Sequence, residues 1–187
     1  DGTGGETNKE EASRYYKMAA DKGDKDSMYI FGRILENGDG VDVNKQEACH
    51  YYKMAADKGH IESMFLYARK LEKGDGVDVN LKESVRYYKM AAEKDHPTAM
   101  FNYANMLSKG LGTEVNKEEA TRYYKIAADR GHVRSMYNYG NRLNRGIGVK
   151  PDKIKAKSNK KINGHPFDSK KSNLFAKSFL FIFIMNN

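Results

Sequence analysis

The sequence predicts an all-α solenoid, a stack of helical hairpins with a period of 36 residues. Three observations predict it. The phrase YYKMAADKG at 15–23 returns at 51–59, as YYKMAAEKD at 87–95 and as YYKIAADRG at 123–131. An Asn with a Glu three residues later precedes each copy, at Asn8/Glu11, Asn44/Glu47, Asn80/Glu83 and Asn116/Glu119. Paired glycines close each unit, at Gly38/Gly40, Gly74/Gly76, Gly110/Gly112 and Gly146/Gly148. Units of this size bury their apolar faces against one another and leave a long surface free, so the architecture favours binding over catalysis.

Residues 1–7 read as the remnant of a preceding unit, because Asp1-Gly2-Thr3-Gly4 aligns with Asn37-Gly38-Asp39-Gly40 one period later. Four units follow, at 8–43, 44–79, 80–115 and 116–149. In the second unit Asn44 can accept from a helix N–H that lacks an intrahelical partner, and Glu47 can reach back to it. The helix behind this cap carries Ala48, Tyr51, Tyr52, Ala55 and Ala56 at helical spacing, a single apolar stripe. Gly59 supplies the left-handed residue that stops it. Asp95 stands there in the third unit and tolerates that conformation less well. A second helix is predicted from about Ile61 to Lys73, with Met64, Tyr67, Ala68 and Leu71 inward. The small residue recurs as Gly32, Ala68, Ala104 and Gly140, the mark of a close helix contact. The paired glycines follow a helix and no strand, so they read as a turn and not as a phosphate loop.

The pattern decays beyond 149. Asp152 can cap a fifth helix, but Asn159-Lys160 replace the tyrosine pair and Asn163-Gly164 the alanine pair. Residues 150–187 are therefore expected to be a degenerate basic tail. Its apolar end, LFAKSFLFIFIM at 174–185, would span about 18 Å as a helix, too short for a hydrocarbon core of ~30 Å, so membrane anchoring is not expected. The tail holds nine lysines against Asp152 and Asp168, which accounts for +7 of the net +8. The repeats are near neutral, and a nucleic-acid partner is not expected. Cys49 is the single cysteine and no Asn-x-Ser/Thr sequon occurs, which fits a reducing, cytoplasmic setting. Asp1, not Met, opens the chain, which is compatible with a removed leader.

Little in the sequence suggests chemistry. His60, His96 and His132 occupy one position in successive units, on the order of 10 Å apart by helix packing distances, so they cannot share one metal at ~2 Å. Ser158 and Lys161 satisfy Ser-x-x-Lys without the companion motifs of a serine acyl-enzyme. Neither catalytic residues, metal ligands, cofactor nor small-molecule substrate is expected.

The small residues of the second helix, the Gly-x-Gly-Val turn and the Tyr-Tyr-Lys-x-Ala-Ala phrase together resemble the Sel-one-like repeat family over residues 1 to about 149. Ser27, Ser63 and Ser135 stand where that family usually has Ala, and Tyr51 where it usually has Trp. The resemblance implies a right-handed α-α superhelix used as an adaptor or scaffold, with the second helices lining its concave side. Members often assemble signalling, cell-wall or protein-quality-control complexes.

On the second helix the residues opposite the inward stripe vary between units. They include Ile30, Arg33, Leu66, Arg69 and Lys73, then Asn102, Asn105 and Lys109, then Arg134, Asn138, Asn141 and Arg145. Asn102/Asn105 and Asn138/Asn141 form two amide pairs able to bond a peptide backbone. The cations favour an acidic segment, and Ile30 with Leu66 would offer an apolar pocket. The expected partner is an extended acidic peptide of another protein. The competing expectation is a structural segment whose repeats self-associate.

Overall fold

The computed structural model describes residues 8–149. The expected fifth-helix cap at Asp152, Ser158 and the apolar end of the tail lie outside them, as does the remnant at 1–7. Within them lie eight α-helices and no strand: α1 (Lys9–Asp21), α2 (Lys25–Asn37), α3 (Lys45–Asp57), α4 (Ile61–Lys73), α5 (Leu81–Glu93), α6 (Pro97–Lys109), α7 (Lys117–Asp129) and α8 (Val133–Arg145). Each helix packs extensively only on those before and after it in sequence, which is the geometry of a solenoid.

The caps explain where each helix begins. The side chains of Asn8, Asn44, Asn80 and Asn116 accept from the backbone N–H of Glu11, Glu47, Glu83 and Glu119 at 2.9–3.1 Å. The glutamates return to the Asn side-chain amide rather than to its backbone. The reason lies in the preceding turn. The N–H groups of Asn44, Asn80 and Asn116 already donate to the carbonyls of Leu35, Leu71 and Leu107. The cap thus ties each first helix to the end of the hairpin before it.

The paired glycines are all left-handed, and the second of each pair is also a point of contact. A Cβ on Gly76 would lie 2.4 Å from the Lys45 carbonyl oxygen, and one on Gly112 2.3 Å from that of Leu81. The turn therefore lies directly on the first turn of its own hairpin. Asp95 takes φ +70° at the end of α5, where the other hairpins have glycine.

The stripe of the first helix is buried as expected, with Tyr52, Tyr87 and Tyr88 fully enclosed. The stripe of the second helix faces forward. Met28, Met64 and Met100 are at most 3% exposed, whereas Met136 in α8, the last described helix, is 47% exposed. Leu143 at 48% exposure departs in the same way from Leu35, Leu71 and Leu107. What covers each second helix is the first helix of the next hairpin. Gly32 makes the contact explicit, since a Cβ there would meet the Tyr52 ring at 2.9 Å and the Ala48 carbonyl at 3.3 Å. Of the four tyrosine pairs, those at 51/52, 87/88 and 123/124 are buried. Tyr15 and Tyr16 are exposed, because such a pair packs against a preceding second helix and none precedes α1 among the described residues.

Candidate functional site

The expected binding row on the second helices divides into two chemical halves. The α2 and α4 helices mix signs: Asp26 and Glu36 accompany Lys25 and Arg33, and Glu62 and Glu72 accompany Arg69, Lys70 and Lys73. The α6 and α8 helices carry Lys109, Arg134, Arg142 and Arg145 with no carboxylate at all. Comparing the helices residue by residue would have found this asymmetry in the sequence.

The structure places the twelve expected residues unequally. Arg33, Lys73, Lys109, Arg134, Asn141 and Arg145 are exposed, and Ile30 and Arg69 are half-buried. Arg69 lies over the Phe65 ring at 5.8 Å. Leu66 is 9% exposed and belongs to the core, so it offers little apolar surface beside Ile30. The helical wheel placed Leu66 opposite the inward stripe, but in this row the flank of the helix also meets a neighbour. The amide pairs show the same contact. Asn102, Asn105 and Asn138 are half-buried. The Tyr124 hydroxyl donates to the Asn105 side-chain oxygen at 2.5 Å. Asn141 is the exposed Asn of the set.

Five of the twelve converge on one open cleft of ≈ 470 Å³ between α6, α7 and α8: Asn105, Lys109, Asn138, Asn141 and Arg145. Arg142 and Lys117 line it as well. Its wall contains four cations and no carboxylate.

Two buried cations that sequence reasoning passed over organise the row. Lys70 is 2% exposed and donates to Glu36 Oε1 and Asp75 Oδ2, each at 2.5 Å. Burial alone would lower its pKa, but the hydrogen bonds it donates to Asp75 and Glu36 outweigh that and raise it. Hydrogen bonds from Lys70 and Lys45 hold the Asp75 carboxyl at about 2. Tyr52 donates to the same Glu36 at 2.7 Å. Arg142 stands two periods after Lys70 and is 8% exposed. Two periods after Glu36 and Asp75, however, stand Ser108 and Ile147. Arg142 donates to the Lys117 carbonyl at 3.1 Å, to Thr121 Oγ1 at 2.9 Å and to Ser108 Oγ, and lies over the Tyr124 ring. Among the described residues no carboxylate pairs with it.

The residues considered for chemistry have structural employment. His60, His96 and His132 are the N-caps of α4, α6 and α8, each accepting a backbone N–H on Nδ1. Asp24 does the same for α2. Each imidazole also meets an aromatic ring of the preceding hairpin: Tyr29 with His60 at 4.6 Å, Phe65 with His96 at 4.8 Å, and Phe101 with His132 at 5.0 Å. Burial lowers the pKa of His60 and of His132. Burial likewise pushes the Cys49 thiol up to about 11, and its Sγ donates to the Asp75 carbonyl. That is the opposite of a reactive thiolate. Among the described residues no group of three or more His, Cys, Asp and Glu could hold a metal, and no helix is long and apolar enough to cross a membrane.

Known proteins resemble this chain in sequence and in fold. The family model described as Sel1 repeat matches residues 1–24, 25–60, 61–96, 97–132 and 133–158. No curated protein matches. Among solved structures, a protective antigen of uropathogenic Escherichia coli with an SLR fold (c5321) superposes with a TM-score of 0.73 at 28% identity, over 76% of this chain and 31% of that one. A Sel1 repeat protein from Oxalobacter formigenes superposes with a TM-score of 0.67 at 29% identity, over 76% of this chain and 61% of that one. Helicobacter pylori cysteine rich protein B shares the fold, with a TM-score of 0.54 at 19% identity over 71% of this chain and 98% of its own. The chain thus spans less than two thirds of the first two structures it matches.

Proposed function

The chain belongs to the Sel1 repeat family, whose fold generally serves as a protein-interaction scaffold, and we propose that it is a non-catalytic adaptor that holds an extended acidic peptide of another protein along its concave face. The observation that carries the reading is the acid-free half of the second-helix row, where exposed Lys109 and Arg145 flank half-buried and exposed asparagine amides around one cleft. Unpaired surface cations in a concave setting attract anionic partners and speed their capture. Asparagine amides supply a donor and an acceptor each, which suits a peptide backbone and leaves its side chains unread. Ile30 and Arg33 would extend the track at the other end, and Arg69, Lys73 and Arg134 would continue its positive edge. A cytoplasmic setting fits a buried single cysteine, and is part of the same proposal.

The test uses the whole chain and a fluorescently labelled peptide of alternating Glu and Ser. Fluorescence anisotropy should rise on titration, and binding should weaken as salt screens the surface charges. Lys109→Glu with Arg145→Glu should reduce affinity at least about tenfold, which corresponds to ~1.4 kcal/mol. These two positions suit the test because both side chains are exposed. Equal binding of a Lys/Ser peptide, or no effect of the charge reversal, would refute the acidic-peptide reading.

A further inference from the structure

We propose that the cleft between α6, α7 and α8 is a carboxylate-binding site, with Arg142 as the group that receives an acidic side chain or chain terminus of the bound peptide. The proposal rests on the peptide-scaffold reading and adds an anchor to it.

The comparison of hairpins carries the argument. At this position the array has built a complete ion cluster once, around Lys70, with Glu36 on one side and Asp75 on the other. At Arg142 the cation is kept and nine-tenths buried, but Ser108 and Ile147 replace both carboxylates. The third hairpin took the other course: Met106 replaces the cation and Leu111 the turn carboxylate. A buried charge without a counter-charge is costly, and a protein that lacks a use for it loses little by replacing it with an apolar residue. The three neutral oxygens that Arg142 engages use three of the five N–H donors of a guanidinium. The Tyr124 ring and these bonds hold the fork in place before any ligand arrives.

The same arrangement selects the ligand. Ser108 is shorter than the Glu36 it replaces, so the space beside Arg142 on that side matches a carboxylate, while Ile147 supplies an apolar wall in place of Asp75. Asn138 and Asn141 place amides on the same cleft, and Lys109 and Arg145 set its rim positive. A planar carboxylate entering there meets a guanidinium that is itself largely buried and already held in place, which favours a charge-assisted bond.

The experiment puts the missing carboxylate back. Ser108→Glu restores the residue of the equivalent positions 36 and 72, and should pair with Arg142 internally. Wild type, Ser108→Glu, Ser108→Gln, Arg142→Met and Asn144→Glu are each titrated as whole chains with the labelled Glu/Ser peptide, and their melting temperatures are measured. Asn144→Glu matches the charge change on an exposed α8 residue that does not line the cleft. Ser108→Glu should raise the melting temperature and weaken binding at least tenfold, Arg142→Met should weaken binding comparably, and Ser108→Gln and Asn144→Glu should stay within about threefold of wild type. Amidating the peptide C-terminus tells the two sources apart: affinity lost on amidation assigns the site to a terminus, affinity kept assigns it to acidic side chains. If Ser108→Glu and Arg142→Met bind as wild type does while Lys109→Glu with Arg145→Glu is impaired, the anchor is refuted and the groove stands. If wild type does not bind the peptide, both readings fall.

Discussion

The second glycine of each closing turn offers a quantitative test of how the hairpins are locked. Gly59, Gly74 and Gly76 all have positive φ, at +91°, +71° and +80°, but their surroundings differ. Gly59→Ala meets nothing within 4 Å, so only the left-handed backbone opposes it, at about 1–2 kcal/mol. Gly74→Ala adds a contact at 2.9 Å with Val79 Cγ2, a side-chain atom that can yield, for a total of about 1–3 kcal/mol. Gly76→Ala would put its methyl 2.4 Å from the Lys45 carbonyl oxygen and 2.7 Å from its carbon, both backbone atoms of an α-helix. Relief requires lifting the whole turn off α3, an overpacking cost of about 1–3 kcal/mol beyond the backbone term. The expected order in urea unfolding is therefore Gly59→Ala, then Gly74→Ala, then Gly76→Ala at about 2–5 kcal/mol. The converse substitution, Asp95→Gly, removes left-handed strain and should stabilise by up to about 1 kcal/mol, less the loss of an exposed ion pair with Arg130. Equal losses at Gly59 and Gly76 would show that the close approach to α3 contributes nothing, and the account of the turn as a lock would be wrong.

Two further outcomes follow from the buried groups. The folded-state pKa of His60 and of His132 lies below the unfolded value, because burial and the cap role both favour the neutral ring. Their contribution is thus fully present above the unfolded pKa of about 6.5 and is lost as pH falls through the lower folded value. Melting temperature should fall between about pH 7 and about pH 5, and less so in the variant His60→Asp with His132→Asp, which copies the Asp24 cap; an unchanged pH profile in that variant would remove the histidines from the explanation. Lys70→Met should destabilise by about 2–3 kcal/mol, less than for a fully enclosed pair because Glu36 and Asp75 keep 24% and 35% exposure. Adding Asp75→Leu reproduces the third hairpin, Met106 with Leu111, and should recover part of the loss; a double variant less stable than the single one would contradict the equivalence of the two solutions.

Much of the solenoid was legible because its causes are local and repeated. An Asn cap, an Ala/Tyr stripe and a left-handed glycine act within a few residues of themselves, so four copies in register announce four hairpins. The predicted span Ile61–Lys73 matches α4 for that reason. The candidate site was legible only in part. The exposure of Lys109, Asn141 and Arg145 followed from their azimuth on the helix, whereas Leu66 is buried and Lys70 and Arg142 were passed over. A helical wheel gives the direction of a side chain about its own axis, but it does not say whether water or another helix lies in that direction.

By itself, then, the sequence determined the period, the helix ends and which stripe is apolar, since backbone conformation and capping are properties of neighbours along the chain. The tertiary structure decided what each stripe is buried against, because that depends on the packing of one hairpin on the next. It showed Met136 and Leu143 open where Met64 and Leu71 are closed. It also set Arg142 in a wall of neutral oxygens where Lys70 has two carboxylates, a difference visible only once residues 34 positions apart, such as Glu36 and Lys70 or Ser108 and Arg142, are brought into hydrogen-bonding contact.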